Sequence, residues 1–200
     1  MATAPLTHLN SMLDKTFFGG IKKVFTARDT ERRSIMKESS EVLHRAKQSI
    51  FALHREDVAG AGALLREAVD RLKGIEKRVK KFPELSDEGS LRAAEEELVE
   101  AHIFYQLVHG KRAGKIEGLN IPHHVYLAGL CDVPGELVRY AIREATARKF
   151  DAVGRSHDMV QDIMTYLIQF NFTGYLRTKY DQAKQMSKRM EEVAYEISGR

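Results

Sequence analysis

Four carboxylates at helical spacings are the residues of this sequence that could carry out chemistry. Glu97 and Glu100 are three residues apart. Asp132 and Glu136 are four residues apart. Either spacing places both side chains of a pair on one face of an α-helix. Two such helices facing each other would surround one point with carboxylate oxygens, which Mg²⁺ and Mn²⁺ prefer as ligands. A bound ion could polarise a phosphate, orient a water molecule and stabilise a leaving oxygen.

A simpler interpretation of the same residues stays open. Glu97 and Glu100 could belong to a solvated helix face, the usual location of such a pair. A second helical stripe combines two acidic with two basic residues, namely Asp132, Glu136, Arg139 and Arg143. This stripe could be a surface ladder of ion pairs rather than part of a metal site.

Pro134 makes the position of Asp132 ambiguous. A proline inside a helix removes one hydrogen bond and kinks the helix. Alternatively, Asp132 is the N-cap of a helix whose first turn contains Pro134. In that case its carboxylate would partly bind backbone N–H groups, and a role in metal binding would weaken.

Six stretches of helical periodicity would position these carboxylates. They cover residues 29–55, 58–82, 90–108, 122–149 and 156–172, and a sixth stretch, separated from the fifth by Gly174, ends near residue 198. Ser90 is the expected N-cap of the third helix, and Gly110 is expected to end it. No alternating pattern of strand length occurs. The sequence therefore predicts an all-α, antiparallel bundle of about six to seven helices.

We predict one helical domain with an N-terminal extension. Residues 1–28 are expected to be a weak lead-in segment, in which the Gly19–Gly20 pair interrupts a helical turn. The domain itself is expected to cover residues 29–200, with Asp29 or Thr30 as the N-cap of its first helix.

Composition limits the classes of protein to which the chain can belong. The 200 residues carry a net charge of +4, which permits a polyanionic partner without requiring one. The single cysteine, Cys131, excludes an intrachain disulfide framework and suits a reducing compartment, so we expect a cytoplasmic protein. The chain contains no apolar run of about 18 residues, and we expect no membrane partner.

Short basic clusters could contact phosphate groups. A charge run is usually a solvated face, and a mildly basic chain needs oligomerisation to build a strong positive field. The candidates for phosphate contact are Arg45, Arg55, Lys111, Arg112 and Arg177. Phe104 and Tyr105 could stack on unpaired bases, although aromatic residues on a helix more often belong to the core.

Histidines and the cysteine give weaker signals. Glu41 and His44 form half of the paired Glu-x-x-His pattern of di-iron carboxylate proteins, and the sequence contains no second Glu-x-x-His. A di-metal oxidoreductase is therefore a third and weaker hypothesis. We expect His54 to serve at a helix end or an interface rather than in catalysis, and Cys131 to lie in the core.

Several segments of the chain together resemble the translin family. The stretch Tyr126–Arg139 (YLAGLCDVPGELVR) resembles the signature of its catalytic branch, the translin-associated factor X branch. Ile50–Arg55 is similar to the end of the family's first long helix. Leu176–Lys184 and Arg189–Ile197 are similar to the last helix of the non-catalytic branch. The segments follow each other in the family's order, and the resemblance covers residues 29–200.

The resemblance implies both an assembly and an activity. Family members form a closed, usually octameric barrel that encloses RNA or single-stranded DNA. The catalytic branch is an Mg²⁺-dependent endoribonuclease, and its acidic residues match Glu97, Glu100, Asp132 and Glu136. We therefore expect these four residues to be both catalytic residues and ligands of Mg²⁺ or Mn²⁺. The expected protein is a homo-octamer that cleaves single-stranded or unpaired RNA inside its barrel. The alternative is a non-catalytic scaffold that binds single-stranded RNA or DNA.

Overall fold

The structure, a computed structural model, describes residues 13–198 as helices joined by loops. In this part of the chain there are six α-helices, one short 3-10 turn and no strand. The helices are α1 (Lys15–His54), α2 (Val58–Val79), α3 (Gly89–Val108), α4 (His123–Thr146), α5 (Phe150–Leu167) and α6 (Gly174–Ser198). The predicted all-α fold is confirmed. None of the described helices is long and apolar enough to cross a lipid bilayer.

The first helix is longer than its sequence pattern predicts. An N-cap at Asp29 or Thr30 is wrong, because α1 begins at Lys15 and runs unbroken for 40 residues, or about 60 Å. Asp14 is its N-cap, and the Asp14 carboxylate accepts hydrogen bonds from two backbone N–H groups of the first turn. The Gly19–Gly20 pair does not interrupt the helix, although each glycine costs it about 1 kcal/mol.

Two other predicted helix ends also differ from the structure. Glu88 occupies the cap position of α3, so the predicted cap Ser90 already lies inside the helix. Arg148 adopts a left-handed backbone conformation with a φ of 59°. This residue ends α4 and lets α5 begin at Phe150, well before the predicted start at Ser156.

Helices α3 and α4 pack against each other at the centre of the bundle. α3 also contacts α1 and α2, and α4 also contacts α5 and α6. Gly129 of α4 permits the close approach, because a Cβ atom there would lie 2.6 Å from the backbone oxygen of Glu96 and 2.8 Å from Cβ of Val99. The contact at Gly129 lies one turn from Asp132 and therefore brings the acidic faces of both helices together.

Candidate active site

The four predicted carboxylates converge where α3 faces α4. Glu97 and Glu100 belong to α3, whereas Asp132 and Glu136 belong to α4. Burial and the negative charges of the other three carboxylates raise the pKa of Glu100 to about 9. Burial also raises the pKa of Glu97, and the charges of Asp132 and Glu136 add to that effect, although a nearby lysine opposes it. Since the charges of Asp132 and Glu136 act on both glutamates of α3, we call these four residues the carboxylate cluster.

The carboxylate cluster is not a solvated face. Three of its side chains are only 17 to 26% exposed. The alternative of a surface ladder along α4 is wrong, because Asp132 pairs with a residue of α6 and Arg143 pairs with Glu144. Of the predicted ladder, the described structure contains the ion pair between Arg139 and Glu136, at 3.7 Å.

Pro134 lies inside α4 and not in its first turn. α4 begins at His123, so Asp132 is an interior residue and cannot be the N-cap. Pro134 is buried among the core residues of the helix. The Asp132 side chain is therefore free to bind partners on neighbouring helices.

Lys179 of α6 places a positive charge directly against the cluster. Its Nζ lies 2.5 Å from Oδ2 of Asp132 and 3.5 Å from Oε2 of Glu96. Tyr175, one turn earlier on α6, donates a hydrogen bond of 2.8 Å to the same Glu96 oxygen. Burial alone would lower the pKa of Lys179, but the hydrogen bond and charge of Asp132 outweigh it and raise that pKa. Burial raises the pKa of Asp132 even beside this ammonium group.

Helix α1 contributes a histidine and a second lysine. Nε2 of His54 forms a short hydrogen bond with Oε2 of Glu136, and the imidazole packs against the ring of Phe104 with centroids 5.2 Å apart. Nζ of Lys47 lies 3.7 Å from Oε2 of Glu97. His54 is the last residue of α1, as expected for a helix end, but it also reaches the cluster, which the sequence interpretation missed.

The three consecutive glutamates of α3 point in different directions. Glu97 belongs to the cluster, and Glu96 binds the two residues of α6. Glu95 is only 5% exposed and interacts electrostatically with Glu76 on α2. Burial, together with the charges of Glu76 and Glu96, raises the pKa of Glu95 to about 7 against the opposing effect of Arg92. Glu95 is therefore a buried carboxyl group outside the cluster.

The predicted basic residues do not share one environment. Arg45 lies 3.2 Å from Glu67, and Arg177 lies 2.9 Å from Asp181, so a carboxylate already balances each charge. Arg55 is exposed at the C-terminal cap of α1. The remaining two, Lys111 and Arg112, line a surface cavity of about 600 Å³ beside Tyr126 and Tyr166.

The other candidates lie outside the cluster. Phe104 is fully buried, so a stacking role for it is wrong and its core role is confirmed. Tyr105 is half-buried and stacks on His109 with ring centroids 4.4 Å apart. The half-pattern formed by Glu41 and His44 is exposed on α1. Cys131 is buried in the core, as expected, and burial raises the pKa of its thiol to about 12.

The chemistry of the donor atoms fits a hard divalent cation. All four members of the carboxylate cluster offer oxygen atoms, and their mutual repulsion favours the uptake of positive charge. Within residues 13–198, no three histidine, cysteine, aspartate or glutamate side chains are already arranged as the ligands of one ion.

Comparison with known proteins relates the chain to one family. The model of the translin family matches residues 30–200. A protein of Methanocaldococcus jannaschii, described as uncharacterized, is 27% identical over 164 residues. That match covers 77% of this chain and 70% of the relative.

Solved structures with the same fold include C3PO proteins. A crystal structure of apo-NeC3PO matches with a TM-score of 0.83 and 21% identity, over 93% of this chain and 98% of that one. A crystal structure of AfC3PO also gives a TM-score of 0.83, with 25% identity over 89% and 95% of the two chains. A structure of an AfC3PO complex with duplex RNA matches with a TM-score of 0.79 and 24% identity, over 89% of this chain and 94% of that one.

Proposed function

The chain belongs to the translin family, and from this membership and its carboxylate cluster we propose that it is a metal-dependent endoribonuclease. The observation that carries the proposal is the convergence of four partly buried carboxylates, where burial and the charges of the other three raise the pKa of Glu100 to about 9. Such a concentration of negative charge costs stability unless a cation binds there, so it favours a binding role over a structural one.

Each member of the cluster has a proposed role. Glu97, Glu100 and Asp132 would hold Mg²⁺ or Mn²⁺, and Glu136 would be a supporting ligand or the base that orients a water molecule. When bound, the ion would polarise the scissile phosphate and stabilise the leaving oxygen. His54 holds the Glu136 carboxylate through its short hydrogen bond and so fixes the direction from which a water molecule would be held.

The proposed substrate is single-stranded or unpaired RNA. The fold that this chain shares with an AfC3PO–duplex RNA complex supports RNA as a partner. Lys111 and Arg112, beside two tyrosines, offer positive charge and aromatic surface for such a ligand. The proposal also includes single-stranded DNA as a weaker ligand and a cytoplasmic location, which suits the buried thiol of Cys131.

We also propose that the protein works as a homo-oligomer, with an octameric barrel as the expected form. The N-terminal half of α1 extends away from the core and exposes apolar side chains at Phe17, Ile21, Val24 and Phe25, which are 49 to 70% accessible. Large apolar residues in such a row mark interaction surfaces. Assembly would also combine the mild positive charge of each chain into a stronger field.

A non-catalytic nucleic-acid scaffold is the second candidate. The ion pair between Lys179 and Asp132 favours it, because the ammonium neutralises part of the cluster without any metal. The two candidates differ in one respect that can be measured: the scaffold binds RNA with or without Mg²⁺ and never cleaves it.

The test is incubation of the purified protein with end-labelled single-stranded RNA, in Mg²⁺, in Mn²⁺ or in EDTA. Asp132→Asn and Glu97→Gln are expected to bind RNA but not to cut it. Glu95→Gln is the matched control, because it removes a neighbouring carboxylate of α3 that lies outside the cluster. Cleavage by the wild-type protein in EDTA, or full activity of Asp132→Asn, would refute the proposed site. RNA binding without any cleavage would establish the scaffold.

A further inference from the structure

Lys179 forms an ion pair with one of the proposed metal ligands. Its Nζ lies 2.5 Å from Oδ2 of Asp132, one of the proposed ligands. The Lys179 side chain comes from α6 and is only 16% exposed, so neighbouring residues pack around it. A divalent cation bound to the same carboxylate would lie within a few ångströms of the ammonium group, where the two positive charges repel each other.

We propose that the Lys179 ammonium is a built-in counter-ion that competes with the divalent cation for Asp132 and is displaced when the cation binds. This inference rests on the proposed metal site. In the metal-free protein Lys179 holds Asp132 in place and offsets part of the repulsion within the carboxylate cluster. It is a positioning residue in this role, since it acts through Asp132.

Glu96 and Tyr175 provide the place to which the ammonium moves. Oε2 of Glu96 is already 3.5 Å from Nζ, and the ring of Tyr175 has its centroid 5.5 Å from Nζ. The hydrogen bond from Tyr175 holds that Glu96 oxygen in place. A small rotation of the Lys179 side chain therefore exchanges Asp132 for a full ion pair with Glu96, and the ammonium is never left unpaired.

The test measures metal affinity directly, without RNA. Mn²⁺ binding to the full-length protein is followed by electron paramagnetic resonance with oxygen excluded and at one fixed pH, so that protons compete equally in every variant. Lys179→Met is expected to bind Mn²⁺ about tenfold more tightly than the wild-type protein, because the competing charge is gone. Lys179→Arg keeps the charge and should stay close to wild type. Lys184→Met removes an exposed lysine of the same helix and should change nothing.

The outcomes separate the inference from the proposed function. If the wild-type protein binds Mn²⁺ and Lys179→Met binds it equally or less tightly, the inference is overturned and the metal site stands. If the wild-type protein binds no Mn²⁺, or if Asp132→Asn binds it as tightly as the wild type does, the proposed metal site itself is overturned.

A measurement on the unsubstituted chain covers the case in which the variants do not fold. Crystal structures of the wild-type protein grown in EDTA and in Mn²⁺ should show Nζ of Lys179 against Asp132 in the first and against Glu96, clear of Asp132, in the second. Contact between Nζ and Asp132 in both structures, with Mn²⁺ bound to Asp132, would also overturn the inference.

Discussion

Replacing the buried Glu95 with glutamine should make the stability of the protein depend less on pH. The pKa of a glutamate is ordinarily 4.5, whereas burial raises that of Glu95 to about 7 in the folded protein. Between these two values the folded state binds more protons than the unfolded state, so the free energy of unfolding falls as the pH rises. Each unit of difference between the two pKa values contributes about 1.4 kcal/mol, so the free energy of unfolding falls by about 3 kcal/mol in total.

The glutamine side chain of Glu95→Gln cannot ionise, so this variant should not lose stability for this reason as the pH rises. Its free energy of unfolding should be close to that of the wild-type protein at pH 4.5 and about 3 kcal/mol higher at pH 8. Urea denaturation followed by circular dichroism, at equal protein concentrations, measures both values. Glu41→Gln, on the exposed surface of α1, is the control and should show no such gain. An advantage of Glu95→Gln that does not grow between pH 4.5 and pH 8 would refute the reasoning.

Two further substitutions test the geometry of the site. In Gly129→Ala the new methyl group would lie 2.6 Å from the Glu96 backbone oxygen, so urea denaturation should show a loss of about 1–3 kcal/mol. Gly135→Ala, where the nearest atom is 3.9 Å away, should lose nothing, and equal losses would contradict the close packing of α3 and α4. His54→Asn releases Glu136 and should lower the single-turnover cleavage rate by about tenfold to a hundredfold with RNA affinity unchanged. A normal rate would show that Glu136 does not depend on His54.

The fold and the carboxylate cluster could be predicted because their signals are local in sequence. Apolar periodicity reveals a helix wherever one face is buried. The spacing of Glu97 from Glu100, and of Asp132 from Glu136, already determines that each pair shares a face. The start of α1 could not be predicted in this way, because a pair of glycines is a signal against a helix and the Asp14 cap is a single residue.

The approach of Lys179 and His54 to the carboxylate cluster depends on tertiary contacts. Lys179 lies 47 residues from Asp132 in sequence, and nothing in either neighbourhood indicates that they meet. His54 gave only the signal of a helix end, and its contact with Glu136 follows from how α1 packs beside α4. The three consecutive glutamates of α3 look alike in sequence, and the positions of α2 and α6 show that Glu95 and Glu96 lie outside the cluster.

The length of α1 has a mechanical consequence. The same unbroken helix carries exposed Phe17 near one end and His54 at the other. At 1.5 Å per residue these positions are about 55 Å apart, so a tilt of about one degree at one end displaces the other by about 1 Å. A displacement of that size is enough to break the hydrogen bond between His54 and Glu136. A partner bound to the exposed apolar residues of α1 would therefore act on the same continuous helix that carries His54.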